Sequence, residues 1–206
     1  SFISKVNGMR IADGKQITLD ASQCRFGYRD SIFKKDEFDR LVVLSVDFVL
    51  SRVGRPIITY PSLIQLINQT GIAKTPEGVL DAVIQLRKKR LPDPVEVPNA
   101  GSFFKNPAVD QSLADALCVK FPELPANQLD NNKVKLSAGW LIEQCGWKGY
   151  QENGAAVYQE HALVIINTGG ATGDSILNLA HKIKSTVRNK FDIELEIEPR
   201  IVRSKK

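Results

Sequence analysis

Nothing in this sequence of 206 residues approaches the roughly eighteen consecutive apolar residues of a membrane-crossing helix, and no signal peptide is visible at its start. Cysteine is scarce: Cys24, Cys118 and Cys145 are three, an odd number, and lie far apart. With two histidines and no Cys-x-x-Cys pair, neither a disulfide framework nor a metal centre is expected. The thiols read as reduced, in a cytoplasmic setting. Aromatics make up only 7%. The charge excess is mild, at +5 with pI near 9.1, and its one tight run is Arg87-Lys88-Lys89-Arg90. A nucleic-acid groove needs more than that, whereas phosphorylated small molecules suit such a surface. Internal repeats and low-complexity stretches are also lacking. The chain opens Ser1-Phe2-Ile3-Ser4, already strand-like and without methionine, which fits a processed start or a piece of a longer protein equally well.

What is present is an ordinary globular composition, 43% hydrophobic. Segments 2–10 and 16–19 read as strands, with Asp13-Gly14 as a two-residue hairpin turn between them. Segment 41–50 is the clearest strand, β-branched and apolar, with Ser45 and Asp47 on one face. A short helix covers 63–68. Thr75-Pro76 starts a longer one, where Val79, Leu80, Val83, Ile84 and Leu86 keep helical spacing up to Arg90. Leu91-Pro92-Asp93-Pro94 ends it as a stiff connector. Helices are expected over 112–121, 137–145 (with Gly146 closing it) and 174–190, paired strands over 155–158 and 162–167, and a closing strand over 193–202. Strands and helices mix without regular βαβ alternation, so the class is α+β.

One polar stretch stands apart: Pro98-Asn99-Ala100-Gly101-Ser102-Phe103-Phe104-Lys105-Asn106-Pro107. It reads as too polar and glycine-dependent for a core strand and too short for a helix. Small residues let the backbone approach something closely, with the Ser102 hydroxyl beside that approach and proline at both ends. Two more islands accompany it, Arg25-Phe26-Gly27-Tyr28-Arg29-Asp30-Ser31 and Leu195-Glu196-Ile197-Glu198-Pro199-Arg200.

In this order and at these separations the islands resemble the UDP-N-acetylenolpyruvoylglucosamine reductases, flavoenzymes of peptidoglycan precursor synthesis. Leu91-Pro92-Asp93-Pro94 and Lys135-Leu136-Ser137-Ala138-Gly139-Trp140-Leu141-Ile142 match too, and Tyr60 with its helix resembles the family's longer variant. The family has a preceding region that supplies most of the flavin-binding loops. No Gly-rich phosphate cradle precedes Ser1, so the resemblance implies a carboxy-terminal part: the tail of an FAD-binding domain over 1–91, including the Tyr60 helical insertion, then a substrate-binding domain over 92–206.

The implied reaction reduces the enolpyruvyl double bond, with FAD as hydride carrier and NADPH as its reductant. By resemblance, Ser102 donates the proton, Arg29 pairs with the substrate carboxylate, and Glu198 hydrogen-bonds the developing enediolate. Plainer roles stay open: a turn hydroxyl for Ser102, an ion pair with Asp30 or Asp36 for Arg29, an exposed strand position like Glu194 and Glu196 for Glu198. Tyr60, Arg90, Asn106, Lys135, Lys148 and His161 are the implied UDP-sugar contacts, and Arg87 and Arg200 are assigned to the flavin. The expected partner is a small UDP-sugar acting on a monomer, with no metal, nucleic acid or membrane. The alternative is a UDP-sugar-binding module that carries no flavin.

Overall fold

The structure, a computed structural model, describes residues 2–35, 40–129 and 132–202. Asp36, named above as one partner for Arg29, lies outside them. The chain divides into two compact units, 1–60 with 67–79, and 61–66 with 80–206.

The first unit is built on a three-stranded antiparallel sheet of β1 (Ile3–Arg10), β2 (Gln16–Asp20) and β3 (Leu41–Phe48), in the order β2-β1-β3. The β1–β2 turn is longer than the two residues expected. Met9 pairs with Gln16, leaving a wide loop closed by Arg10 N–H to Lys15 O at 2.9 Å. Asp13 is occupied inside it, taking the Lys15 amide at 3.2 Å and the Arg10 guanidinium at 2.8 Å. Ser45 and Asp47 do share a face: the Asn7 amide donates to both, at 3.0 and 3.5 Å, and Asn7 in turn accepts from Thr18 at 2.8 Å. Gly8 is required by close approach, since a Cβ there would stand 3.0 Å from Val42 O and 3.1 Å from the Leu41 side chain. Along β3, Val42, Val43, Leu44 and Phe48 are all more than 40% exposed, so both faces of an edge strand show apolar side chains.

Two helices follow. The first, α1 (Pro61–Thr70), starts with proline in its first turn and ends at left-handed Gly71. The second, α2 (Pro76–Arg90), starts as Thr75 implies, with Thr75 Oγ1 accepting from Gly78 N–H at 3.2 Å, and its last turn gathers Arg87, Lys88, Lys89 and Arg90. Cations at that end complement the helix dipole.

The second unit holds the core. Strands β4 (Asn99–Ser102), β8 (Gln151–Glu152), β9 (Ala155–Val157) and β10 (Val164–Asn167) form an antiparallel sheet in the order β4-β10-β9-β8. A second sheet, in the order β5-β7-β6, joins β5 (Ala108–Asp110), β6 (Ala126–Gln128) and β7 (Lys133–Leu136). Helices α3 (Gln111–Lys120), α4 (Ala138–Gln144) and α5 (Gly173–Phe191) complete the unit. Leu179, Ala180, Ile183, Val187 and Phe191 repeat every three or four residues on α5 and are buried with Leu141, Ile142 and Val157. Each large side chain buried this way contributes about 1.5–3 kcal/mol. Phe191 anchors an aromatic cluster, 5.2 Å from Phe121 and 6.0 Å from Trp140. Helices and antiparallel sheets together make the fold α+β.

Two expectations are corrected. Asn99–Ser102 is a strand after all, because β10 supplies the backbone partners that its side chains could not announce. Over 193–202 the closing strand reduces to one bridge, Phe104 with Ile197, flanked by Lys105 N–H to Glu196 O at 2.9 Å and Glu198 N–H to Phe103 O at 3.0 Å.

Candidate functional site

In the first unit, Arg29 sits in a tight turn. Gly27 N–H donates to Asp30 O at 2.9 Å, and the reverse bond is 3.4 Å. Arg29 occupies the third turn position at φ +55°, a left-handed conformation that a non-glycine side chain adopts only under local constraint. The turn is tied down at both ends: buried Cys24 accepts from Ile32 N–H at 3.1 Å, and Asp30 pairs with Lys35 at 3.1 Å. The guanidinium of Arg29 is therefore presented on an exposed, fixed loop. Tyr60, 59% exposed, stands at the start of α1.

In the second unit the backbone pairs Glu198 with Phe103, the residue after Ser102. Asn99 shapes the approach. Its Oδ1 accepts from Gly101 N–H at 2.8 Å, while its Nδ2 donates to Val97 O at 2.8 Å and Pro92 O at 3.3 Å. Gly101 takes φ +72°, and no heavy atom lies within 4 Å of where its Cβ would be. Phe103 N–H then locks onto Leu163 O at 2.7 Å. Ser102 is thus half-buried between a bare backbone position and a fixed one. Glu198 arrives because its amide bonds Phe103 O, next door to Ser102. Glu194 and Glu196 are exposed and engaged with Lys184 and Lys105 respectively, whereas Glu198 is half-buried with Oε2 fully enclosed.

Arg90, Lys148 and His161 form a second group. His161 closes the turn between β9 and β10: its N–H bonds Tyr158 O at 3.3 Å, and its carbonyl takes Val164 N–H at 3.0 Å. Leu163 N–H donates to His161 Nδ1 at 3.3 Å, which leaves the ring proton of the neutral imidazole on Nε2. Burial first, then the charges of Arg90 and Lys148, hold its pKa below the ordinary value. Lys148 is kept in place by Glu143 at 2.9 Å.

The other implied contacts are placed as follows. Asn106 Oδ1 accepts from Ala138 N–H at 2.9 Å and so helps start α4, beside Ser137, whose Oγ caps Trp140 N–H at 3.2 Å. Lys135 is half-buried on β7. Arg87 lines an open cleft of about 760 Å³ with Lys88, the Leu91–Pro94 connector, Asn99–Gly101 and Tyr158; Arg200 is exposed and does not line it. That cleft combines an apolar wall of Leu91, Pro92 and Val97 and a bare backbone at Gly101 with the cations of Arg87 and Lys88 and the carboxylates of Asp93 and Glu96. Tyr158 and Asn99 line the cleft without having been named as contacts in the sequence. Asn99 carries an asparagine-before-glycine signal for a backbone-bonded turn, while nothing local marks Tyr158. Among the described residues there is no cluster able to hold a metal ion, and no helix long and apolar enough to cross a membrane.

Residues 93–202 match the family described as "UDP-N-acetylenolpyruvoylglucosamine reductase, C-terminal domain". A UDP-N-acetylenolpyruvoylglucosamine reductase of Paraburkholderia phymatum is 43% identical over 95% of this chain, and one of Burkholderia multivorans is 43% identical over 97%. In each case the chain spans 58% of the relative's length. A crystal structure of the reductase from Thermus caldophilus superposes with a TM-score of 0.56 at 24% identity, covering 95% of this chain and 51% of that one, a likeness of fold.

Proposed function

The chain belongs to the UDP-N-acetylenolpyruvoylglucosamine reductase family, and from that premise we propose that it carries the proton-donating and UDP-sugar-holding part of such an enzyme. The reaction is reduction of UDP-N-acetylenolpyruvoylglucosamine to UDP-N-acetylmuramate for peptidoglycan precursor synthesis, in the cytoplasm. Bound FAD would supply the hydride and NADPH would restore it.

Hydride addition to the enolpyruvyl double bond places negative charge on the carboxylate side and leaves the neighbouring carbon short of a proton. Ser102 donates that proton. A serine hydroxyl is a weak acid, so its surroundings must be fixed in advance, and the bonds at Asn99, Gly101 and Phe103 support this. Glu198 hydrogen-bonds the developing enediolate. Arg29 pairs its planar fork with the substrate carboxylate. Lys135, Lys148, Arg90, Asn106, Tyr60 and His161 hold the UDP-sugar, and Arg87 and Arg200 serve the flavin.

The observation that carries this reading is the enclosed Oε2 of half-buried Glu198, whose backbone amide pairs with Phe103 beside Ser102, while Glu194 and Glu196 are exposed. In flavin-loaded protein, Ser102→Ala should leave flavin reduction by NADPH intact and slow flavin reoxidation by substrate about 10²–10⁴-fold. Equal rates in both half-reactions would remove the donor role. The share of the relatives that this chain spans, 58%, favours a second reading for the isolated polypeptide: a UDP-sugar-binding module without flavin. Purified chain that is colourless, yet raised in Tm by UDP-N-acetylglucosamine, would select that reading, and visible flavin absorbance would select the first.

A further inference from the structure

Glu198 sits at the end of a lightly held segment. Upstream of it, Ile193 and Leu195 are buried, and Glu194 is tied to α5 by Lys184 at 3.0 Å and Arg188 at 3.8 Å. Downstream comes Pro199, which has no backbone N–H to offer a neighbouring strand. The run that follows Ser102 is fixed at several points. Phe103 N–H bonds Leu163 O at 2.7 Å, Asn106 Oδ1 accepts from Ala138 N–H at 2.9 Å, and Pro107 O accepts from Leu136 N–H at 2.9 Å. Residues 103–107 are thus a rail, and 196–198 lie along it through the bridge of Phe104 with Ile197.

A side-chain link spans rail and segment. Antiparallel pairing of Phe104 with Ile197 sets Lys105 opposite Glu196 and Phe103 opposite Glu198, so the side chains of Lys105, Glu196 and Glu198 leave from one face. Lys105 meets Glu196 twice: its N–H bonds Glu196 O at 2.9 Å, and its ammonium pairs with the Glu196 carboxylate. The Lys105 side chain is only 18% exposed, that of Glu196 68%. A cation enclosed to that degree is costly to leave without its counter-charge, so this pair holds more firmly than one formed wholly in solvent. Neither member is among the residues assigned to substrate or flavin.

Resting on the proposed reductase reading, we propose that Lys105 is a positioning residue: through Glu196 it pins segment 196–198 to the run after Ser102 and so sets where the Glu198 carboxyl stands. Its ammonium stays on Glu196, and no proton moves through it. Without the pair, the end before Pro199 frays, and a small displacement of a positioned group is expensive in rate.

Hydrogen exchange of the Glu198 amide, followed by NMR on this chain, reports its bond to Phe103 O directly. Lys105→Met keeps the apolar stem and removes the charge. Glu196→Gln removes the counter-charge at a largely exposed position, so the fold does not depend on it. Both should speed Glu198 exchange about three- to tenfold while the amides of β10 keep their parent rates. Lys105→Arg should retain slow exchange, and the charge-reversed double variant, Lys105→Glu with Glu196→Lys, should recover it. In flavin-loaded protein the two single variants should slow flavin reoxidation by substrate about tenfold, with KM and flavin reduction by NADPH unchanged, and the reversed pair should restore the rate. Unchanged exchange at Glu198, a reversed pair that recovers nothing, or a lowered Tm with reoxidation at its parent rate overturns this inference and spares the proposed function. Insensitivity of both half-reactions to Ser102→Ala overturns the proposed function, and the positioning role with it, even where Glu198 exchange responds.

Discussion

Asn106 is tied into the fold before any ligand arrives. Its side-chain oxygen satisfies Ala138 N–H at the start of α4, one of the amides a helix cannot pair internally. Asn106→Ala should therefore lower stability by about 1 kcal/mol, read as a drop in denaturation midpoint, while Asn106→Asp keeps the acceptor and most of the stability. An Ala variant as stable as the parent would separate Asn106 from α4. His161 gives a pH signature of its own. Its folded pKa lies below the ordinary value of about 6.5, so below that pH the unfolded chain binds the proton first. Its contribution to stability is complete above about pH 6.5 and is lost as pH falls through the folded value, and His161→Gln should flatten that part of a Tm-against-pH curve. Residue identities at the site were legible in the sequence to different depths. Three glutamates alternate at 194, 196 and 198, and burial with an enclosed Oε2 sets the last one apart, since Glu196 has a backbone bond of its own, from Lys105. Alternation alone could not reveal that difference, because the segment pairs with residues about a hundred positions away in sequence.

Elements long enough to show a period were readable, and those too short were not. α2 begins at Thr75 and α5 buries the stripe its spacing marks out, since fifteen and nineteen residues give several turns for a pattern to repeat. Strands such as β8, with two residues, and β9, with three, have no period to read. Their hairpin nonetheless carried a signal in Asn153-Gly154, both at positive φ (48° and 76°) with Glu152 paired to Ala155, the two-residue turn that asparagine-glycine favours. Asp13-Gly14, with the same kind of signal, folds instead into a longer loop because Asp13 binds Arg10 and the Lys15 amide. Two substitutions test how elements are held. Thr75→Ala removes the cap of α2 and should cost about 1 kcal/mol. Gly8→Ala presses a methyl group against the Val42 carbonyl and should cost about 1–3 kcal/mol, visible as a lower urea midpoint.

At the scale of the molecule, burial is uneven. The main core cluster runs from Phe103 to Leu195 and lies entirely in the second unit. The first unit buries few large side chains among its described residues, chiefly Val6, Ile32 and Ile67. Local opening free energy follows buried apolar contact, so amides of β1–β3 should exchange with deuterium well before those of β9, β10 and α5. Uniform protection across the chain would contradict that ranking. In the sequence Leu91-Pro92-Asp93-Pro94 marks where α2 stops, and the compact units exchange between Val79 and Leu80, inside that helix.

The apolar edge of β3 sets a practical ceiling on handling the polypeptide. Val42, Leu44 and Phe48 offer a sticky seam with open backbone pairing beside it, so concentrated solutions should turn cloudy on storage, sooner with added sulfate. A lysine in place of Leu44, at 53% exposure, puts a charge on that seam and should delay the precipitate without shifting the midpoint of unfolding.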